Sequence, residues 1–151
     1  MRKMGGVLLL SFLLWGRSFK ATYSFGDFTF AVGDSGMIYK IKNSELIDSV
    51  CIGKRFNLTG VYFVTENIGF VIGNRDNKGY LFKTMDGGKL WIMVFSFSHT
   101  LRDLYFVSPY QGFLISKDYI FMTFDGGRKW WKYLLPEDMK KEEILKRLGW
   151  R

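Results

Sequence analysis

"TMDGGKLW", residues 84–91, returns 39 residues later as "TFDGGRKW", residues 123–130, with a further Trp131 directly behind it. Each copy sets a Thr and an Asp two positions apart, follows them with two Gly, and places a Trp three positions beyond the second Gly. The short side chains of Thr84, Asp86, Thr123 and Asp125 are suited to hydrogen-bonding backbone groups of their own turn, and Gly87, Gly88, Gly126 and Gly127 supply φ > 0 without a Cβ clash. Trp91 and Trp130 then start the next strand as large apolar plugs whose indole N–H needs a carbonyl or water. The phrase reads as a locked turn that ends one strand and launches the next.

The duplication extends outward. "GVYFVTENIGFVIG", residues 60–73, aligns with "DLYFVSPYQGFLIS", residues 103–116, matching Phe63 to Phe106, Gly69 to Gly112 and Phe70 to Phe113 at an offset of 43. The offset falls to 39 because the first copy carries four extra residues in "GNRDNKGYLF" where the second has "SKDYIF", an insertion of the kind a hairpin tip tolerates. Each unit holds four strand candidates, 58–64, 69–73, 80–84 and 91–95 in one, and 101–107, 112–116, 119–123 and 130–134 in the other. A degenerate unit precedes them: "FAVGDSGMIYKIKN", residues 30–43, matches at Phe30, Gly33, Gly36, Tyr39 and Lys40 but lacks the phrase, and "SFKATYSF", residues 18–25, is its candidate first strand. Four strands in roughly forty residues is the period of a β-propeller blade. The expected fold is therefore all-β, a partial β-propeller of about 2.5 to 3 four-stranded antiparallel blades, divided as 19–57, 58–97 and 98–135. A short C-terminal helix is expected over 136–151.

Composition agrees with this class. At 151 residues the chain is of single-domain length, and fifteen Phe, eight Tyr and seventeen Gly against two Pro favour strands cut by turns. The net charge is +8; taking Arg2, Lys3 and Arg17 from the 22 basic residues leaves 19 against 14 acidic ones once residues 1–18 are removed. That excess is mild and unclustered, so nucleic acid is not an expected partner. "MRKMGGVLLLSFLLWGRS" has a basic start, an apolar run from Val7 to Trp15 and a small-x-small end at Gly16 and Ser18, the pattern of a secretory signal peptide. Nine helical residues at about 1.5 Å each fall short of a ~30 Å hydrocarbon core, so no stable membrane span is expected after leader removal. The expected location is periplasmic or extracellular.

At this point the residues carry a family resemblance. The phrase resembles the Asp-box, Ser/Thr-x-Asp-x-Gly-x-Thr-Trp, also called the bacterial neuraminidase repeat. The surrounding "VYFV", "GFVIG" and "GYLFKTMDGGKLW" are most similar to the propeller family of photosystem II assembly and stability factors and their relatives in non-photosynthetic bacteria, over roughly residues 28–135. The resemblance implies that the box is a fold element at the blade rim, which assigns Thr84, Asp86, Gly88, Trp91, Thr123, Asp125, Gly127 and Trp130 a structural role. No catalytic, cofactor-binding or metal-binding residue is implied. The chain departs from the pattern at the seventh box position, where Leu90 and Lys129 stand for Thr. It also departs in blade number, since that family has about seven and propellers in general about four to eight, so a role at a photosystem does not carry over.

The chemistry-bearing residues point away from an enzyme. A sialidase needs several arginines converging on a carboxylate, a Tyr activated by a Glu and an acidic proton donor; Arg55, Arg75, Arg102 and Arg128 do not occupy those motif positions. His99 has no second ligand at metal spacing and is expected on a solvated loop, and the lone Cys51, in "DSVCIG", is expected as a small buried hydrophobe. "NRDNKG", residues 74–79, opens like a calcium loop but puts Lys78 at a ligand position and Met85 where the bidentate Glu belongs, so it is read as a hairpin tip. No cofactor is expected. Trp91, Trp130, Trp131, Phe70 and Phe113 are the residues expected to hold blades together.

The tail "PEDMKKEEILKRLGWR", residues 136–151, begins with Pro and acids and ends with bases, with Glu142 to Lys146 and Glu143 to Arg147 at i, i+4, and so reads as a helix. Ile144 and Leu148 fall on one face with Met139 nearby, a narrow apolar stripe for docking on its own last blade or on a partner. The functional expectation is a non-enzymatic module for protein–protein interaction or complex assembly, its partner unknown, with a homo-oligomer that completes the propeller as one form of association. The alternative is a carbohydrate-binding or sialidase-like fragment.

Overall fold

The computed structural model describes residues 19–135 together with Glu143 and Lys146. The leader expected over 1–18 lies outside the described residues. So does the helix expected over 136–151, apart from Glu143 and Lys146, which are helical and exposed.

The described strands form three antiparallel meanders in chain order. The first is β1 (Phe19–Phe25), β2 (Phe28–Gly33), β3 (Met37–Lys42) and β4 (Glu45–Cys51); the second is β5 (Asn57–Phe63), β6 (Gly69–Arg75), β7 (Lys78–Thr84) and β8 (Ile92–Phe97); the third is β9 (Leu101–Phe106), β10 (Gly112–Ser116), β11 (Tyr119–Thr123) and β12 (Trp131–Leu134). Short turns make this possible. Asn43 and Ser44 between β3 and β4, and Asp76 and Asn77 between β6 and β7, all have φ between 50° and 63°, as two-residue hairpins that follow the strand twist require. The "NRDNKG" stretch is thus divided between the two strand ends and this turn.

Burial explains the sequence pattern strand by strand. The second strands of the two full repeats, β6 and β10, are buried along nearly their whole length, because a sheet on each side or a covering cluster removes both faces from water. The outermost strands β8 and β12 are mostly exposed. β5 packs against both β1 and β9, so the first strands of the three sheets lie side by side while the last strands stand apart. This is a partial β-propeller of three four-stranded blades. Between blades 1 and 2, Phe30 stacks on Phe63 at 4.0 Å; between blades 2 and 3, Phe70 stacks on Phe106 at 3.8 Å with the rings 4° from parallel. Removing a buried ring of this kind costs about 3–5 kcal/mol.

Three expectations need correction. Cys51 is exposed rather than buried, because β4 is the open edge of blade 1 and presents most of its side chains to water; its Sγ faces the Ser35 carbonyl at 3.5 Å. Trp131 holds no blades together: it is 47% exposed on the outer strand β12, edge-on to the exposed Phe124 at 5.8 Å. His99 does lie between strands, but it is half-buried with its ring 4.6 Å from Tyr119 rather than solvated.

Candidate functional site

The two repeated turns are built alike. Thr84, wholly buried at the end of β7, donates its hydroxyl to Asp86 Oδ1 at 2.9 Å and accepts the Gly88 N–H at 2.9 Å. Asp86 Oδ1 also accepts the N–H groups of Lys89 at 3.1 Å and Leu90 at 3.0 Å, and the Trp91 indole donates to the Gly88 carbonyl at 3.0 Å. Around Thr123 the same bonds recur: Asp125 at 2.9 Å, Gly127 N at 2.9 Å, Arg128 N and Lys129 N to Asp125 Oδ1 at 3.0 Å each, and Trp130 to the Gly127 carbonyl at 2.9 Å. The seventh position bonds through its backbone N–H, which is why Leu90 and Lys129 fill it without loss of the turn. Trp91 and Trp130 precede β8 and β12 rather than starting them.

Both carboxylates are held below their ordinary range. For Asp86 the chief cause is the Leu90 N–H, followed by the Thr84 hydroxyl; for Asp125 it is the Lys129 N–H, with desolvation opposing. Hydrogen bonds donated to the ionised form favour that form. Each acidic side chain is thereby committed to its own turn.

The turn also reaches the blade before it. Gly88, at φ 95°, lies so close to that blade that a Cβ on it would stand 3.0 Å from the Phe30 ring, and one on Gly127, also at φ 95°, would stand 3.3 Å from Leu81. Lys40 of blade 1 donates its Nζ to the Gly87 carbonyl at 3.1 Å. Its counterpart Lys83 in blade 2 lies over the Phe70 ring at 5.4 Å, with its Nζ directed at the Gly126 turn of blade 3. Burial first, and the Arg128 charge second, lower the Lys83 pKa from its ordinary value. A second tie comes from Asn74, whose amide donates to the Leu101 carbonyl at 2.9 Å and accepts the Leu101 N–H at 2.8 Å, binding β6 to the first residue of blade 3. Sequence reasoning passed over Asn74 and Lys83 as contacts; the signal within reach was the lysine that recurs at the same place in two repeats.

Near the inner strands, Tyr23, Tyr62 and Tyr105 occupy one repeat position. Their rings follow one another at 4.6 Å and 6.3 Å. Burial, then the charge of Tyr62 and the hydrogen bond between the two phenols, push Tyr23 up to about 12. The Tyr23 phenol is therefore a neutral hydrogen-bonding group at physiological pH.

Among the described residues, the outer edge of blade 2 presents an exposed apolar surface. Ile92, Met93 and Val94 of β8 are exposed, and Ile92 and Val94 join Lys83, Met85, Asp86 and Leu90 around a groove of about 170 Å³. β8, "IMVFSF", carries no charge, whereas the other two outer strands carry Glu45 and Asp48 on β4 and Lys132 on β12. Native sheets commonly protect an open edge with such charges. The arginines do not converge on this groove as a set: Arg55 holds Asp76 at 3.2 Å and Arg75 lies 3.9 Å from the same carboxylate at the β6–β7 turn, while Arg102 is on β9 and Arg128 on the second repeated turn. Among the described residues no three His, Cys, Asp or Glu side chains gather as metal ligands, and no helix is long and apolar enough to cross a membrane.

No protein-family model and no curated protein matches the chain. Solved structures do. The chain is similar to YCF48 bound to D1 peptide, with a TM-score of 0.58 and 18% identity over 70% of this chain and 36% of that one. YCF48 from Cyanidioschyzon merolae gives a TM-score of 0.60 and 16% identity over 80% and 36%. The WD40 β-propeller domain of Doa1 gives 0.64 and 10% over 80% and 42%. The shared feature is the propeller fold, of which this chain spans well under half the length of each neighbour.

Proposed function

We propose that this chain is a non-enzymatic protein-interaction module, exported by its leader to the periplasm or cell exterior, that takes up an extended segment of a partner polypeptide along β8. The observation that carries the reading is the uncharged, apolar open edge of blade 2 beside its groove. A strand added there would satisfy the free backbone groups of β8, and its alternate side chains would enter the groove between Met85, Leu90, Ile92 and Val94. A propeller neighbour that holds a peptide supports this class of ligand. The carbohydrate alternative draws less support, because the groove is lined by Met85, Leu90, Ile92 and Val94 with Lys83 and Asp86 and holds no aromatic plane, and two of the arginines share Asp76.

The test is a displayed library of extended peptides screened against the purified protein, with a glycan panel in parallel. Apolar, β-branched peptides are expected to bind, to protect β8 amides from hydrogen exchange, and to lose at least tenfold in affinity to Val94→Lys with the unfolding midpoint unchanged. Glycan binding that survives Val94→Lys would overturn the reading. Export is checked by fractionating cells that express the full chain; an N-terminus still beginning at Met1 in the cytoplasm would remove that part of the proposal.

A further inference from the structure

The groove beside β8 has a cationic element as well as an apolar wall. Lys83 stands directly opposite Ile92 in the β7–β8 ladder, so the two side chains share one face of the sheet and line the groove together. On its other side Lys83 is opposite Phe70, and its ammonium lies over that ring at 5.4 Å. The equivalent places in the other blades are filled differently. In blade 1, Lys40 commits its ammonium to the Gly87 carbonyl at 3.1 Å. In blade 3 the place belongs to Met122, opposite Trp131. Lys83 is half-buried, and among the described residues its ammonium has neither a hydrogen-bond acceptor nor a carboxylate.

The carboxylates of the two repeated turns do not supply the missing anion. Asp86 Oδ1 accepts the Thr84 hydroxyl and two backbone N–H groups of its own turn, and Asp125 Oδ1 does the same in the turn toward which Lys83 reaches. Neither forms an ion pair with Lys83 among the described residues. The same turns hold Lys89, Arg128 and Lys129, all exposed. Burial first and the Arg128 charge second disfavour the Lys83 ammonium. A carboxylate entering the groove would offset both, through a charge-assisted hydrogen bond in a place partly withdrawn from water.

We propose that Lys83 selects an acidic residue in the ligand, so that the partner segment along β8 is an extended peptide with a glutamate set among apolar residues. The proposal rests on the β8 reading above and adds a charge to the partner it describes. Reach favours Glu over Asp. An added strand and β7 lie on either side of β8, two spacings of about 4.8 Å apart, and a lysine stem of four methylenes spans that distance more readily toward the longer acid. Strand alternation puts the residues two before and two after this glutamate on the same face, against Met85, Leu90, Ile92 and Val94. The ligand pattern is therefore apolar-x-Glu-x-apolar.

The test selects a displayed library of random heptapeptides on the purified full chain and, in parallel, on Lys83→Arg and on Lys83→Met, which carries the residue type blade 3 has at this place. Glu is expected to be enriched about fivefold or more at the centre of the pattern on the parent and on Lys83→Arg. On Lys83→Met the apolar positions are expected to remain and the Glu preference to disappear. Synthetic copies of the selected peptides are expected to bind the parent about tenfold more weakly when their Glu is replaced by Gln. That replacement needs no variant of the protein to fold. Binders that lose affinity to Val94→Lys but show no acid preference, or one that Lys83→Met retains, overturn this inference and leave the β8 reading standing. A library that yields no binder, or binders indifferent to Val94→Lys, overturns both.

Discussion

Blades 1 and 2 share a strand plan and a cross-strand pair of Phe and Lys, Phe30 opposite Lys40 and Phe70 opposite Lys83, yet only blade 2 carries the Thr-Asp-Gly-Gly-Trp turn. Blade 1 joins its third and fourth strands with two residues, Asn43 and Ser44, in a tight hairpin that stays within its own sheet. Blade 2 joins the same strands with a longer loop that folds back on Asp86 and reaches Phe30 and Lys40 of the blade before it. A four-stranded blade therefore closes without the turn. What the turn adds is a clamp to the preceding blade, and it is present in the two blades that have a preceding one among the described residues.

The strongest way to break this comparison is at the stacked rings. Phe30→Ala and Phe70→Ala each remove a buried ring from one interface and are expected to cost about 3–5 kcal/mol in chemical unfolding. A Phe30 variant that costs less than about 1 kcal/mol would show blade 1 to be an appendage rather than an equal member of the stack. Next in size is Asp125→Ala, which strips the acceptor from the Thr123 hydroxyl and two N–H groups. It is expected to lower the unfolding midpoint while peptide affinity per folded molecule is unchanged; a variant as stable as the parent but unable to bind would make the turn a binding site.

A smaller loss, about 1 kcal/mol, is expected from Lys40→Met, which removes the bond to the Gly87 carbonyl and gives blade 1 the residue type that blade 3 has at that place, Met122 opposite Phe113. Equal stability to the parent would deny the lysine any part in the clamp. The finest test is pH. Asp86 and Asp125 are depressed below their ordinary 3.8 in the folded state. The stability they contribute is therefore present above that value and lost as pH falls through the lower folded pKa. The parent is expected to exceed the doubly substituted Asp86→Asn, Asp125→Asn protein in unfolding midpoint at pH about 5, with the gap narrowing toward pH about 2. A gap that widens on acidification would reverse the sign and the argument.

Much of the fold was legible in the chain itself. Strand alternation, hairpin residues and the duplicated turn are local features, so a count of about 2.5 to 3 blades and the matching of Phe63 to Phe106 follow from repeat alignment. The residues that were misplaced or missed depend on neighbours distant in sequence. Cys51 and Trp131 sit in strand-like text, but whether an apolar residue on a strand is buried depends on whether that strand is an edge. Asn74 looked like hairpin-tip text, and only the approach of Leu101 from the next blade gives it two backbone partners. The β8 edge likewise acquires meaning only beside its charged counterparts β4 and β12.

By itself the sequence determined the repeat, the turn chemistry and hence the blade, because Thr, Asp, paired Gly and Trp act over eight consecutive residues, where no distant contact is needed. Tertiary structure decided which way each blade faces, which lysine meets which turn, and which edge stays open. A strand pattern states that two faces differ, but the partner of each face is chosen by the packing of whole sheets, and that choice made the turn a clamp to the blade before it.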